Sequence, residues 1–401
     1  MLPKGFKVGG IRSELSKKEG KKDLALFISD VPANTACIFT QNIVKAAPVL
    51  LDIERLKIRD KFSGVIANSG CANACTGTKG LEDAEYICSI CENIFELDSV
   101  SLLCASTGVI GQYLNVSKDA FPEKIKFLRD SIGTSLKNEE ESILAIMTTD
   151  TLIKKVNKEV VIKGSKVRIW GCVKGAGMIH PNLQGLHATM LSFILTDADI
   201  ESVTLQRILE ESADKSFNCV SIDGDTSTND TVIVLANGQS GIGKLSKEDL
   251  TIFVNAFDEL TLDLAKSVVK DGEGATKFIE IEVKNAKTKK DAKFIASTIA
   301  TSPLFKTAMF GSDANWGRII AAMGRSKIDF FDINKVNIYI GGIHTFKNGF
   351  ALKFSENDAK KSLSMKEIKV IVDLNMGSEL SKYYTCDFSY DYIRINGDYR
   401  S

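Results

Sequence analysis

A threonine hydroxyl is a weak nucleophile until something removes its proton, so its neighbours decide what it can do. Residues 185–193 read GLHATMLSF, with Thr189 after the small Ala188 and at the head of the apolar run MLSFILTDADI. A β-branched residue in that place can simply begin a strand. It can also be a nucleophile that carries its own base. If the Ala188–Thr189 peptide bond is cut, the freed α-amine sits on the same residue as Oγ, and its ordinary pKa of ~7.7–8.0 suits a general base near neutrality. The cut requires the same hydroxyl to attack the preceding carbonyl, followed by hydrolysis of the ester, and Ala188 is too small to obstruct the attack. Histidine offers little competition. The chain has three, His180, His187 and His344, and no G-x-S-x-G elbow. His187 lies two residues before Thr189, on the same side of an extended backbone, but taken alone it reads as a polar loop residue.

Two upstream stretches have the character of a site. Thr107-Gly108 in CASTGVIGQYLN can present a hydroxyl and a backbone N–H in one direction, as an oxyanion hole requires. KGAGMIHPN (174–182) combines Lys174 with two glycines and a proline, the composition of an irregular loop with exposed backbone. A third stretch, TVIVLANGQSGIGKL, contains G-x-x-x-x-G-K after a predicted strand, but Leu245 stands where a phosphate-binding loop needs Ser or Thr. A surface turn is expected there, with Ser246 and Asp249 opening the next helix.

The composition fits such a catalyst. Lys+Arg and Asp+Glu are both 51, so no basic field points to nucleic acid or to a membrane surface. Apolar residues make up 44% and charged residues 25%, the balance of a globular chain with a substantial core. No run approaches ~18 apolar residues and the start lacks an apolar leader, so a cytoplasmic protein is expected. The nine cysteines read as reduced thiols. Cys71-x3-Cys75 and Cys88-x2-Cys91 raise zinc as an option, but the helical period of EDAEYICSICENIFEL puts Cys88 and Cys91 on one face as small hydrophobes. No metal is expected.

The elements that must hold these residues are mixed. DLALFISD, TACIFT and FSGVIANSG read as strands, 81–97 and 118–145 as helices, and KEVVIKGSKVRIWGCVK as a hairpin turning at Gly164-Ser165. After Thr189 follow a helix over TLQRILEESADKSF, a strand in TNDTVIVLAN and a helix over LTIFVNAFDELTLDLAKSVVKD. KFIEIEVKNA, VNIYIGG, EIKVIVDLN and finally FSYDYIRIN read as strands. Without strict βαβ alternation, an α+β fold of sheets layered with helices is expected.

The order of the motifs resembles the ornithine acetyltransferase (glutamate N-acetyltransferase, ArgJ) family along nearly the whole chain. The resemblance is carried by KGFKVGGI (4–11), FTQNIVKAAPVL (39–50), NSGCANACTG (68–77), STGVIG (106–111), MTTDT (147–151), KGAGMIHPN, ATML (188–191), DGDTSTND (223–230), DGEGATK (271–277), SPLFKTAMFGSDANWGRI (302–319) and RINGDYRS (394–401). It implies a layered αββα sandwich with an N-terminal-nucleophile site. It also implies scission between Ala188 and Thr189 into an α fragment (1–188) and a β fragment (189–401), which remain associated as one entwined unit, commonly α2β2. Thr189 matches the nucleophile, and Thr107 and Gly108 the oxyanion pair. Thr148, favoured over Thr149, matches a substrate contact, as do Lys174, Thr189, Glu273, Asn396 and Ser401. One charge of each sign, Lys174 and Glu273, would suit the carboxylate and the ammonium of an amino acid.

The activity implied is ping-pong transfer of acetyl from N2-acetylornithine to L-glutamate through acetyl-Thr189, releasing ornithine and N-acetylglutamate in arginine biosynthesis. No cofactor is implied; acetyl-CoA enters some members as a co-substrate, and no block here resembles a CoA-specific motif. Two departures from the family pattern stand out. LQGLH separates HPN from ATML, an insertion of about four residues beside the scissile bond, and Cys71 replaces an expected asparagine. Two other readings use the same residues: a hydrolase in which water replaces glutamate, and a binding protein in which the insertion blocks cleavage.

Overall fold

The computed structural model describes residues 1–15, 20–180 and 190–398. The elements in chain order are β1 (Phe6–Ile11), β2 (Leu24–Phe39), α1 (Ala47–Ile58), β3 (Lys61–Cys71), α2 (Gly77–Ile94), β4 (Leu102–Val109), α3 (Phe121–Ser131), α4 (Leu136–Ile146), β5 (Lys155–Ile162), β6 (Ser165–Lys174), β7 (Leu191–Thr196), α5 (Ser202–Ala213), β8 (Val220–Ser221), β9 (Thr231–Ala236) and α6 (Lys247–Lys270). There follow β10 (Phe278–Ala286), α7 (Lys289–Ala300), α8 (Pro303–Phe310), α9 (Trp316–Gly324), β11 (Asn337–Ile340), β12 (Ile343–Lys347), β13 (Phe350–Ala351), α10 (Glu356–Leu363), β14 (Glu367–Asp373), β15 (Glu379–Cys386) and α11 (Tyr390–Asp398). Two compact units result, one of Met1–Asn218 with Asp225–Val268, the other of Cys219–Gly224 with Val269–Arg400. Both are α+β, each a mixed sheet carrying helices.

The sheet of the first unit runs β4-β3-β2-β9-β7-β6-β5, with β1 paired to β2. Both faces of this sheet are buried, as the strand sequences require. Along β2, Leu24, Leu26 and Ile28 join a cluster with Ala84, Ile87, Cys88 and Cys91 of α2 and Ile125 and Leu128 of α3. The intervening Ala25 and Phe27 join Ile143 and Ile146 of α4, Trp170 and Phe193. The alternation is the period-2 geometry of a strand. Each large apolar side chain so buried contributes about 1.5–3 kcal/mol. Cys88 and Cys91 are thus core hydrophobes in an apolar cluster.

The middle of this sheet is built from segments on both sides of position 189. β7 and β9 lie between β2 and β6, with β2 and β9 antiparallel over Asn34–Phe39 and Thr231–Ala236, and β6 and β7 antiparallel over Ile169–Lys174 and Leu191–Thr196.

The second unit carries the sheet β13-β12-β11-β14-β10-β15-β8. α7 packs on it by Ala292, Ile295, Ala296 and Ile299, which are fully buried.

Four sequence readings change. DLALFISD and TACIFT, expected as two strands, form one, β2. The helix expected over 118–145 is two helices, because Ser135 and Asn138 form a reciprocal capping box that starts α4 anew. The hairpin turns at Lys163-Gly164, both at positive φ, with Ile162 opposite Ser165. FSYDYIRIN, read as a strand, ends in a helix, α11. Elsewhere the readings match: after β9 the glycines 238, 241 and 243 turn at positive φ, and Ser246 and Asp249 exchange backbone N–H bonds at 3.1 and 3.2 Å ahead of α6. Among the described residues no helix is long and apolar enough to cross a membrane.

Candidate active site

β4 ends at an irregularity in its pairing with β3. Thr107 is register partner to both Ser69 and Cys71, so the strand is re-aimed there. Gly108 has φ +135°, and a Cβ on it would lie 2.3 Å from the Gly70 carbonyl carbon and 2.5 Å from the Cys71 nitrogen. Only glycine fits between these backbones. The β3 side is tied down by side chains. Ser106 Oγ donates to Asn68 Oδ1 at 2.6 Å and Asn68 Nδ2 to the Cys71 carbonyl at 3.0 Å. Asn229 Nδ2 donates to the carbonyls of Ser106 (2.8 Å) and Ala72 (2.5 Å). Cys71, the unexpected residue of this block, is buried with its Sγ donating to the Gln112 carbonyl at 3.2 Å, and burial pushes its thiol above the usual range.

Lys174 closes β6. It is 2% exposed, and its Nζ donates to Thr107 Oγ1 at 2.9 Å. Across the ladder its Cα partner is Leu191, two residues after Thr189. Leu191 is in turn the parallel partner of Thr231, two residues after Asn229, and the Thr231 N–H donates to the Met190 carbonyl at 3.0 Å. The strand that follows Thr189 is therefore fixed from its first residues.

Thr148 lies in the loop after α4, where its N–H donates to Asp150 Oδ2 at 2.9 Å and its carbonyl accepts from Lys21 Nζ at 3.5 Å. Asp150 was not singled out in the sequence, yet it organises this end of the unit. Its side chain is fully buried, and Oδ1 accepts from Lys154 Nζ at 2.8 Å and from the Gly175 N–H at 2.6 Å. Burial alone would raise its pKa, but the ammonium groups of Lys174 and Lys154 and the Thr148 N–H hold the carboxyl well below the usual range. His180 is shifted the other way, kept below its ordinary value by burial against the opposing pull of Asp225.

The second unit brings Glu273 and Asn396 together: Asn396 Nδ2 donates to Glu273 Oε2 at 2.9 Å. Their approach depends on Gly274, φ +66°, where a Cβ would lie 2.4 Å from the Tyr392 nitrogen of α11. Behind them Asp387 accepts the N–H groups of Thr276 (2.8 Å) and Lys277 (2.9 Å). Lys306, 1% exposed, donates to Thr385 Oγ1 at 2.8 Å and to the Cys386 carbonyl, its ammonium 4.5 Å from the Phe388 ring centroid. His344 stacks on Tyr339 at 4.2 Å in this unit. Ala188, Thr189, His187 and Ser401 lie outside the described residues.

The chemistry available is that of acyl transfer: a buried hydroxyl and a glycine at a re-aimed strand end, an ammonium on that hydroxyl, and a chain segment that returns beside them. Comparison with known proteins agrees. The ArgJ family profile matches residues 7–401. The chain is 44% identical over 406 residues to the arginine biosynthesis bifunctional protein ArgJ of Caldanaerobacter subterraneus subsp. tengcongensis, covering 100% of this chain and 98% of that protein. It is 45% identical over 407 residues to the glutamate N-acetyltransferase of Methanocaldococcus jannaschii, covering 99% and 97%. A solved structure, the arginine biosynthesis bifunctional protein ArgJ of Bacillus halodurans, superposes with TM-score 0.50 at 42% identity, covering 52% of this chain and 98% of that one. Fold and matches together define an acyltransferase of arginine biosynthesis. The chain belongs to the ArgJ family.

Proposed function

We propose that this enzyme moves the acetyl group of N2-acetylornithine to L-glutamate by way of an acetyl ester on Thr189, after cutting itself between Ala188 and Thr189. The reading is carried by one observation, the Lys174–Thr107 hydrogen bond at the end of the strand whose register partner follows Thr189 by two residues. Because Thr107 Oγ1 accepts from Lys174, its own proton turns to another acceptor, and the ammonium polarises the hydroxyl as a donor. A buried, polarised donor beside a glycine backbone is what a developing oxyanion requires. The Bacillus halodurans chain, accounted for by about half of this one, supports cleavage into two fragments.

In the first half-reaction Thr189 Oγ attacks the acetyl carbonyl while its α-amine takes the hydroxyl proton. The tetrahedral oxyanion is held by Thr107 and Gly108. Collapse breaks the amide C–N bond, the proton passes to the leaving nitrogen, and ornithine departs. In the second, the glutamate amine attacks the threonine ester, Thr189 Oγ is released and reprotonated, and N-acetylglutamate leaves. Acetyl-CoA, where used, would load the same ester as a second donor, and no resident cofactor enters the scheme. In the second unit the Glu273 carboxylate, oriented by Asn396, has an ammonium as its chemical complement.

Intact masses of wild type and Thr189→Ala test the cleavage. Fragments 1–188 and 189–401 are expected in the first and a single chain in the second; a single chain in both overturns self-processing. Rapid quench with N-acetylornithine should then add about 42 Da, an acetyl group, to the 189–401 fragment, and no adduct at any time overturns the covalent route. Ornithine release faster with glutamate than in water alone separates a transferase from a hydrolase.

A further inference from the structure

We infer that Asp150 is a positioning residue for acetyl transfer: its buried carboxylate fixes the lysine that polarises Thr107 and the two loops that flank it. The inference rests on the reading of Thr107 as the oxyanion donor. One carboxylate ties its own loop to a segment 25 residues on. It takes the Thr148 N–H of its own loop, the Gly175 N–H directly after Lys174, and the Nζ of Lys154 ahead of β5. A simple structural ion pair would need only Lys154, four residues away. The bond to Gly175 is what a structural pair does not explain, because it sets the backbone from which Lys174 reaches Thr107. The attraction of Lys174 for the same carboxylate acts in the same direction.

The charged groups facing Asp150 are Lys154 and Lys174, both 2–4% exposed, with Lys21 bonded to the Met147 and Thr148 carbonyls of the same loop. Without the carboxylate, two ammonium groups would share a buried region, and each would release its proton more readily. Asp150→Asn keeps the size and one acceptor oxygen but removes the charge and turns an amide NH2 toward one of the two N–H groups. Its kcat is expected to fall on the order of 10–100-fold with KM nearly unchanged. An alkaline limb should also appear at lower pH than in wild type, because neutral Lys174 no longer polarises Thr107. Asp150→Glu should recover part of kcat and return that limb toward its wild-type position.

Lys154→Met is the structural control. If Asp150 only satisfies Lys154, then Lys154→Met and Asp150→Asn change thermal stability alike and leave the pH profile as in wild type, and the inference is overturned. Should Asp150→Asn not fold, Asp150→Glu alone decides: a wild-type kcat and profile with its carboxylate displaced overturns the inference, a lowered kcat with unchanged melting upholds it. Thr107→Ala separates the two readings. Full activity in that variant removes the oxyanion reading itself, whereas lost activity there beside a wild-type Asp150→Asn removes only the role of Asp150.

Discussion

Lys174 Nζ lies 2.9 Å from Thr107 Oγ1, joining the ends of β6 and β4 through two buried side chains. Replacing Lys174 with Met removes the ammonium and keeps most of the apolar stem. Acetyl transfer is then expected to lose about 10²–10³ in kcat, the usual cost of weakening one oxyanion donor. Lys174→Arg should not rescue it, because a planar fork cannot occupy the site of a compact ammonium. Steady-state kinetics with N-acetylornithine and glutamate check both variants.

Gly108 makes a second expectation. A methyl group there would overlap the Gly70–Cys71 backbone at 2.3 Å, and φ +135° is closed to other residues. Gly108→Ala should lose about 3 kcal/mol or more of stability. It should also open the β3–β4 end, seen as a lowered melting temperature together with lost activity. A variant that melts like wild type would contradict the described fit.

Asn229 donates to carbonyls on two other segments while Thr228 Oγ1 donates to its Oδ1 at 2.6 Å. Asn229→Ala leaves those acceptors short of a donor, at about 1–3 kcal/mol for each one left unsatisfied. Asn229→Asp is expected to be worse for kcat, since it sets a carboxylate against the Ser106 and Ala72 oxygens. Comparing kcat and melting temperature of the two variants tests this order.

Lys306 gives a pH prediction. Burial lowers its pKa below the ordinary lysine value, against the pull of Cys386, Asp387 and Asp223. A lysine that releases its proton more easily when folded binds more protons in the unfolded chain over that window. Stability therefore rises with pH from the lowered folded value up to the ordinary value of about 10.4. Lys306→Met should lack this rise. Melting temperatures of both proteins through the alkaline range are the measurement.

Much of this was legible in the sequence because the deciding physics is local. Ser246 and Asp249 announced the start of α6, and the apolar run of DLALFISD announced a strand. FSYDYIRIN misled because its aromatic and apolar residues alternate like a strand. The helix there draws on a distant contact as well as a local one: Ser389 Oγ donates to the Gly274 carbonyl at 2.5 Å, and Phe388 stacks on Tyr392, one turn on, at 4.7 Å. The Thr107–Lys174 pair was accessible through the family resemblance. Asp150 and Asn229 were quoted within their blocks but not chosen, since a buried polar residue acquires its role only when remote segments supply its partners.

The interleaving of β7 and β9 between β2 and β6 bears on the order of events in the life of the molecule. Neither 1–188 nor 189–401 contains a contiguous central sheet, so the two cannot mature apart and meet later as finished pieces. Strand pairing has to come first and any scission afterwards. On the cleavage proposed above, folding becomes the licence for activation, and a chain that fails to fold would keep its threonine sealed in a peptide bond.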